Sequence, residues 1–70
     1  MTQYKRIANY IDMFGSITPM EAFSDLGITK LSTRIGEMVC SGYRIKKQIE
    51  TGKNRFGETT RYMRYSWDKD

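Results

Sequence analysis

Between Ser16 and Ile45 the chain reads SITPMEAFSDLGITKLSTRIGEMVCSGYRI, and its caps and breakers leave few folds open. Thr18 offers an N-cap hydroxyl, and Pro19 stands at a first helical position, where its missing N–H costs nothing. Glu21 lies three residues past the cap, placed to close a capping box with the cap backbone. A helix therefore starts at Pro19 and is expected to reach Leu26, with Ala22, Phe23 and Leu26 on its inner face. Gly27 interrupts it. Thr29 is positioned to cap another helix, from Lys30 to about Cys40, in which Leu31, Ile35 and Met38, joined by Val39, recur on one side until Gly42 offers a stop. Two capped helices joined by about four residues make a helix-turn-helix.

The flanks complete the architecture. Thr2 is a cap for a first helix whose Tyr4, Ile7, Ala8, Ile11 and Phe14 share a face and which Gly15 ends. Ile17, β-branched and between a helix end and a cap, is expected to be buried in a brief β-bridge. After Gly42 the period changes from 3.6 to 2, with Tyr43, Ile45 and Ile49 on one face and Arg44, Lys46 and Gln48 on the other. Thr51 to Glu58 is rich in turn formers, and Thr59 to Trp67 resumes the alternation, Met63, Tyr65 and Trp67 opposite Tyr62, Arg64 and Ser66. The result is an antiparallel hairpin with a long basic tip, followed by a frayed Asp68 to Asp70 tail. Three helices and then a two-stranded hairpin give an α+β, winged helix-turn-helix fold, expected as a single domain over residues 1–70.

Composition bounds what such a chain does. Seventy residues bury little surface, so a stability of roughly 3 to 5 kcal/mol and little room for a catalytic pocket are expected. The net charge is +4, and its position says more than its size. Residues 1–42 are balanced, four basic against four acidic, whereas from Tyr43 to Trp67 seven basic residues face two acids. Cys40 is the only cysteine and histidine is absent. Internal disulfides are thereby excluded, and no metal site, cofactor or small-molecule substrate is expected. No segment reads as a signal or a membrane span, and the expected setting is a reducing cytoplasm. Cys40, with no base nearby, is expected to be idle, and Glu21 and Asp25, four apart, to face solvent rather than to form an acid pair.

The chain resembles the small phage and prophage helix-turn-helix proteins. The residues that carry the likeness are Ser16 to Pro19, Ala22 to Ile28, Leu31 to Ile35 and Gly42 to Ile45, with the hairpin phrases NRFGE and RYMRYSW. The resemblance implies a helix, Lys30 to about Cys40, laid in the major groove, where Arg34 suits guanine and Lys30, Ser32 and Thr33 suit bases or phosphates. It departs from that family after Met38, where a basic residue commonly follows. Here Val39, Cys40 and Ser41 are uncharged, and Glu37 is expected to turn a carboxylate outward. The hairpin compensates with Lys46, Lys47, Lys53, Arg55, Arg61 and Arg64, and a tip of Lys53, Asn54 and Arg55 suits a wing along the minor groove.

Five Tyr, three Phe and one Trp are read mainly as core. Phe14, Phe23, Tyr43, Tyr65 and Trp67 fall at inward positions, while Tyr10, Met13, Phe56 and Tyr62 do not. Tyr10 and Met13 on the outer side of the first helix thus become candidates for a partner surface. Two functions follow. The first is a non-catalytic phage protein in the bacterial cytoplasm that binds double-stranded DNA, as a transcriptional regulator or a recombination accessory factor, and that is open to homodimerisation. The alternative is a protein-interaction module that blocks a host protein, such as a polymerase or a nucleic-acid-guided defence complex. An enzyme is not expected, since no nucleophile has a base.

Overall fold

The computed structural model describes residues 2–68. Three helices precede a two-stranded antiparallel sheet, the winged helix arrangement expected from the sequence. Helix α1 (Gln3–Phe14) begins where the Thr2 hydroxyl accepts the Lys5 N–H at 3.2 Å, and ends at Gly15, whose φ of 87° lets its N–H turn back to the Ile11 carbonyl. Helix α2 (Pro19–Glu21) opens on the full capping box. The Glu21 N–H donates to Thr18 Oγ1 at 3.3 Å and the Thr18 N–H to Glu21 Oε1 at 3.0 Å.

The second helix then widens into a π-helical turn, Ala22–Leu26. The Gly27 N–H reaches the carbonyls of Ala22 and Phe23, and the Ile28 N–H closes on Ala22 at 3.0 Å. An i→i+5 turn rotates successive side chains less than an α-helix does. Ala22 therefore stays buried and Leu26 half-buried, whereas Phe23, expected inside, is exposed. Helix α3 (Leu31–Cys40) also starts differently from expectation. Lys30 occupies its cap position, so Thr29 lies one residue too early to cap, and no side chain caps this helix. Leu31, Ile35 and Met38 are buried as expected, while Val39, just past the edge of that stripe, is exposed.

Strands β1 (Ile45–Lys53) and β2 (Thr59–Trp67) pair from Ile45 opposite Trp67 to Lys53 opposite Thr59. The ladder runs three residues into the expected turn, because Thr51 and Lys53 alternate well and Gly52 packs against the Tyr62 ring at 3.5 Å from its would-be Cβ. The tip shrinks to residues 54–58. Ile17 forms the expected bridge, exchanging two backbone bonds of 2.8 and 2.9 Å with Tyr65. β2 is thereby flanked on both sides.

Ile7, Ile11, Ile17, Ile35 and Met38 are enclosed, with Ala22, Ile28, Leu31 and Tyr65 around them. Two aromatics on α1 exchange their expected places. Tyr10 is 8% exposed and lies in the core, its hydroxyl bonded to Asp25 Oδ2 at 2.6 Å, so it is no partner surface. Phe14, on the last turn beyond the packed elements, is 63% exposed and rests its ring on Tyr10 at 4.6 Å. Ile49 is also exposed, at 66%. Asp68 is held rather than frayed, its N–H bonded to the Arg44 carbonyl at 3.0 Å; Lys69 and Asp70 lie outside the described residues.

Candidate nucleic-acid interface

The amino terminus of α3 carries three of the expected contact residues, Lys30, Ser32 and Thr33, all exposed. With no side-chain cap there, the first N–H groups of α3 are left to solvent or to an anion. Arg34, on the next position, is half-buried and engaged. Its Nη1 donates to Glu37 Oε1 at 2.8 Å, and the Tyr4 hydroxyl donates to the same oxygen at 2.7 Å. Glu37 therefore does not present a bare carboxylate outward, as the sequence led us to expect. The Tyr4 bond first, and the Arg34 bond second, hold its carboxyl below the usual range, and the same bond pushes the Tyr4 hydroxyl up. This cluster ties α1 to α3 and borders a shallow depression of about 320 Å³.

On the hairpin the cations divide into two kinds. Arg64 is structural: its Nε donates to Glu50 Oε1 at 2.7 Å and its Nη1 to Ser16 Oγ at 2.8 Å, fastening β2 to the segment before α2. Lys46, Lys47, Lys53, Arg55 and Arg61 are exposed and have no ion-pair partner among the described residues. Lys46 sits opposite Ser66 and Lys47 opposite Tyr65, on opposite faces of the sheet; Arg61 lies opposite Thr51, and Lys53 closes the ladder.

Asn54 is at the tip as expected, with its amide occupied. Oδ1 accepts the N–H groups of Phe56 and Glu58 at 2.9 and 3.0 Å, while Nδ2 donates to Glu58 Oε1 at 3.1 Å. The side chain thus sets the turn rather than reaching out, with Gly57 at φ 79° supplying the left-handed residue. Held by this frame, Arg55 and Phe56 project, Phe56 at 82% exposure. Periodicity alone assigns Phe56 no role. An aromatic between Arg55 and Gly57 in a five-residue turn has no core to enter, and that was its signal. A groove of about 680 Å³ separates the start of α2 from the wing, with Met20 and Tyr62 in its walls and Lys53 and Arg61 at its edge.

Among the described residues no group of His, Cys, Asp and Glu is arranged to hold a metal ion, and no helix is long and apolar enough to cross a membrane. Cys40 is exposed on the last turn of α3. Compared with known families, residues 2–69 match the model described as a winged helix-turn-helix domain. No curated protein and no solved structure gives a match.

Proposed function

Since the chain belongs to the winged helix-turn-helix domain family, a fold that suggests DNA binding, we propose that it binds double-stranded DNA without catalysis. The amino-terminal half of α3 enters the major groove, where Lys30, Ser32, Thr33 and Arg34 meet bases and phosphates. The hairpin lies along the flanking backbone through Lys46, Lys47, Lys53, Arg55 and Arg61, with Phe56 at the minor groove. Asn54 and Arg64 act behind that surface, one shaping the tip and the other anchoring β2. The whole chain, residues 1–70, works as one domain. Its role is regulatory or accessory to recombination, in a phage or prophage acting in the bacterial cytoplasm.

The observation that supports this best is the set of five exposed, unpaired cations on one hairpin. Each phosphate neutralised adds roughly −0.9 to the slope of log affinity against log salt. Replacing Lys53 and Arg55 together by alanine is expected to weaken duplex binding at least tenfold and to make that slope shallower by about two. Unchanged affinity and slope would refute the wing contact.

A second reading rests on exposed apolar side chains of the first two helices. Met13, Phe14, Met20 and Phe23 are each at least 60% exposed. They favour a protein partner, such as a host factor the protein blocks. Stoichiometric, nuclease-resistant capture of one host protein, lost on Met13→Ser with Phe14→Ser, distinguishes that role from DNA binding.

A further inference from the structure

β1 is an open edge. β2 has a neighbour on each side, β1 and Ile17, but no strand or bridge among the described residues pairs with the outer side of β1. The direction of its unpaired groups follows from the ladder. Tyr65 gives both its N–H and its C=O to Ile17, so Lys47, which stands opposite Tyr65, is not bonded to it and turns its own backbone groups outward. Antiparallel pairing alternates. The backbone N–H and C=O of Ile45, Lys47, Ile49, Thr51 and Lys53 therefore all face the free edge. The inward bonds at both ends, Asn54 to Glu58 and Asp68 to Arg44, have the matching parity.

We propose that this edge pairs with the same edge of a second copy of the chain, β1 against β1 about a two-fold axis at Ile49, to give a continuous four-stranded sheet. In that register Ile49 faces Ile49 of the second copy, Lys47 faces Thr51, and Ile45 faces Lys53. All five outward residues are then satisfied, by about ten backbone hydrogen bonds. On the other face Gln48 meets Glu50 and Lys46 meets Gly52. No like charges oppose each other.

The neighbouring registers bury Ile49 less well. Sliding by two residues one way sets Lys47 against Lys53 and Glu50 against itself; sliding the other way brings Lys46 opposite Glu50 but sets Ile49 against Lys47 and leaves Lys53 without a β1 partner. A slip of one residue would oppose outward groups to inward ones. The two-fold register at Ile49 is the one that satisfies all five outward residues and sets Ile49 against itself, covering the apolar residue that the fold leaves uncovered in the middle of β1. A strand-to-strand contact buries less than a standard interface, so the dimer is weak and depends on concentration. Each hairpin segment carries an excess of five positive charges. Added salt, which screens their repulsion, should strengthen self-association while it weakens DNA binding.

The test is made without DNA, so it stands apart from the function proposed above. Sedimentation equilibrium of the purified chain at tens to hundreds of micromolar is expected to approach the mass of two chains. Ile49→Lys, which opposes two lysines at the axis, and Thr51→Pro, which deletes an outward N–H that β2 does not use, are each expected to weaken association at least tenfold. Both positions are exposed, and circular dichroism checks that the folded signal is kept. In a Cys40→Ser background, Ile49→Cys is expected to oxidise to a covalent dimer, since the opposed Cα atoms lie about 5.5 Å apart, within disulfide reach. Cross-linking through Gln48→Cys but not Ile49→Cys would overturn the register. A monomer at every concentration, or a dimer indifferent to both edge variants, would overturn the proposal.

Discussion

The Tyr10 hydroxyl, bonded to Asp25 Oδ2 at 2.6 Å, joins α1 to the second helix and has a consequence that depends on pH. That bond, with burial second, raises the tyrosine pKa to about 12. The folded state thus holds this proton more tightly than the unfolded chain, where the value is the ordinary 10. The stability it contributes is complete below pH 10 and is lost as pH climbs toward 12. Tyr10→Phe is expected to destabilise the fold at pH 8 and to remove most of the loss that wild type shows between pH 10 and 12, as read by urea unfolding at both pH values. Tyr10 was misplaced in the sequence because a stripe drawn through Tyr4, Ile7, Ala8 and Ile11 leaves it just outside. It lies three residues after Ile7, where a helix puts a neighbour on the same side, and only its contact with Asp25 decides that the ring turns inward. Glu37 escaped for a similar reason, since its partner Tyr4 lies 33 residues away.

Among the elements, the start of the second helix is fixed locally and its end is not. The box formed by Thr18 and Glu21 was legible because each contact spans three residues. Thr18→Ala is expected to cost about 1 kcal/mol, read as a lower urea midpoint at unchanged m-value. The π turn from Ala22 to Leu26 was not legible. It depends on Gly27 and Ile28 folding their N–H groups back to Ala22, which follows from the docking of Ile28 in the core and not from any helical period. Phe23 was misread on that account, and Val39 and Ile49 because a periodic pattern does not say where the opposing layer stops. For the candidate interface the sequence identified the basic hairpin and the amino-terminal residues of α3. The separation of free cations from the tethered Arg34 and Arg64 required partners distant in the chain.

For the molecule as a whole, β2 is the keystone. Tyr65 is 3% exposed beside the α1 core, its backbone is fixed to Ile17, and Trp67 Nε1 donates to Asp12 at 2.6 Å while its ring stacks on Tyr43. Truncating a buried aromatic typically costs about 3–5 kcal/mol, comparable to the whole stability expected of a domain this small. Tyr65→Ala is therefore expected to abolish the cooperative thermal transition seen by circular dichroism, and not merely to shift it. The three helices depend on the hairpin as much as the hairpin depends on them.

That dependence also orders events during synthesis. Ile17 reaches its partner only across 48 residues of chain, so the closure that completes the core is non-local and comes late. While a ribosome is still making the hairpin, α1 and α3 have nowhere to bury the sides that Tyr65 later covers. Until the hairpin has been made, the nascent chain exposes that apolar surface to chaperones and aggregation, and the helices become a folded domain only once β2 has paired with Ile17.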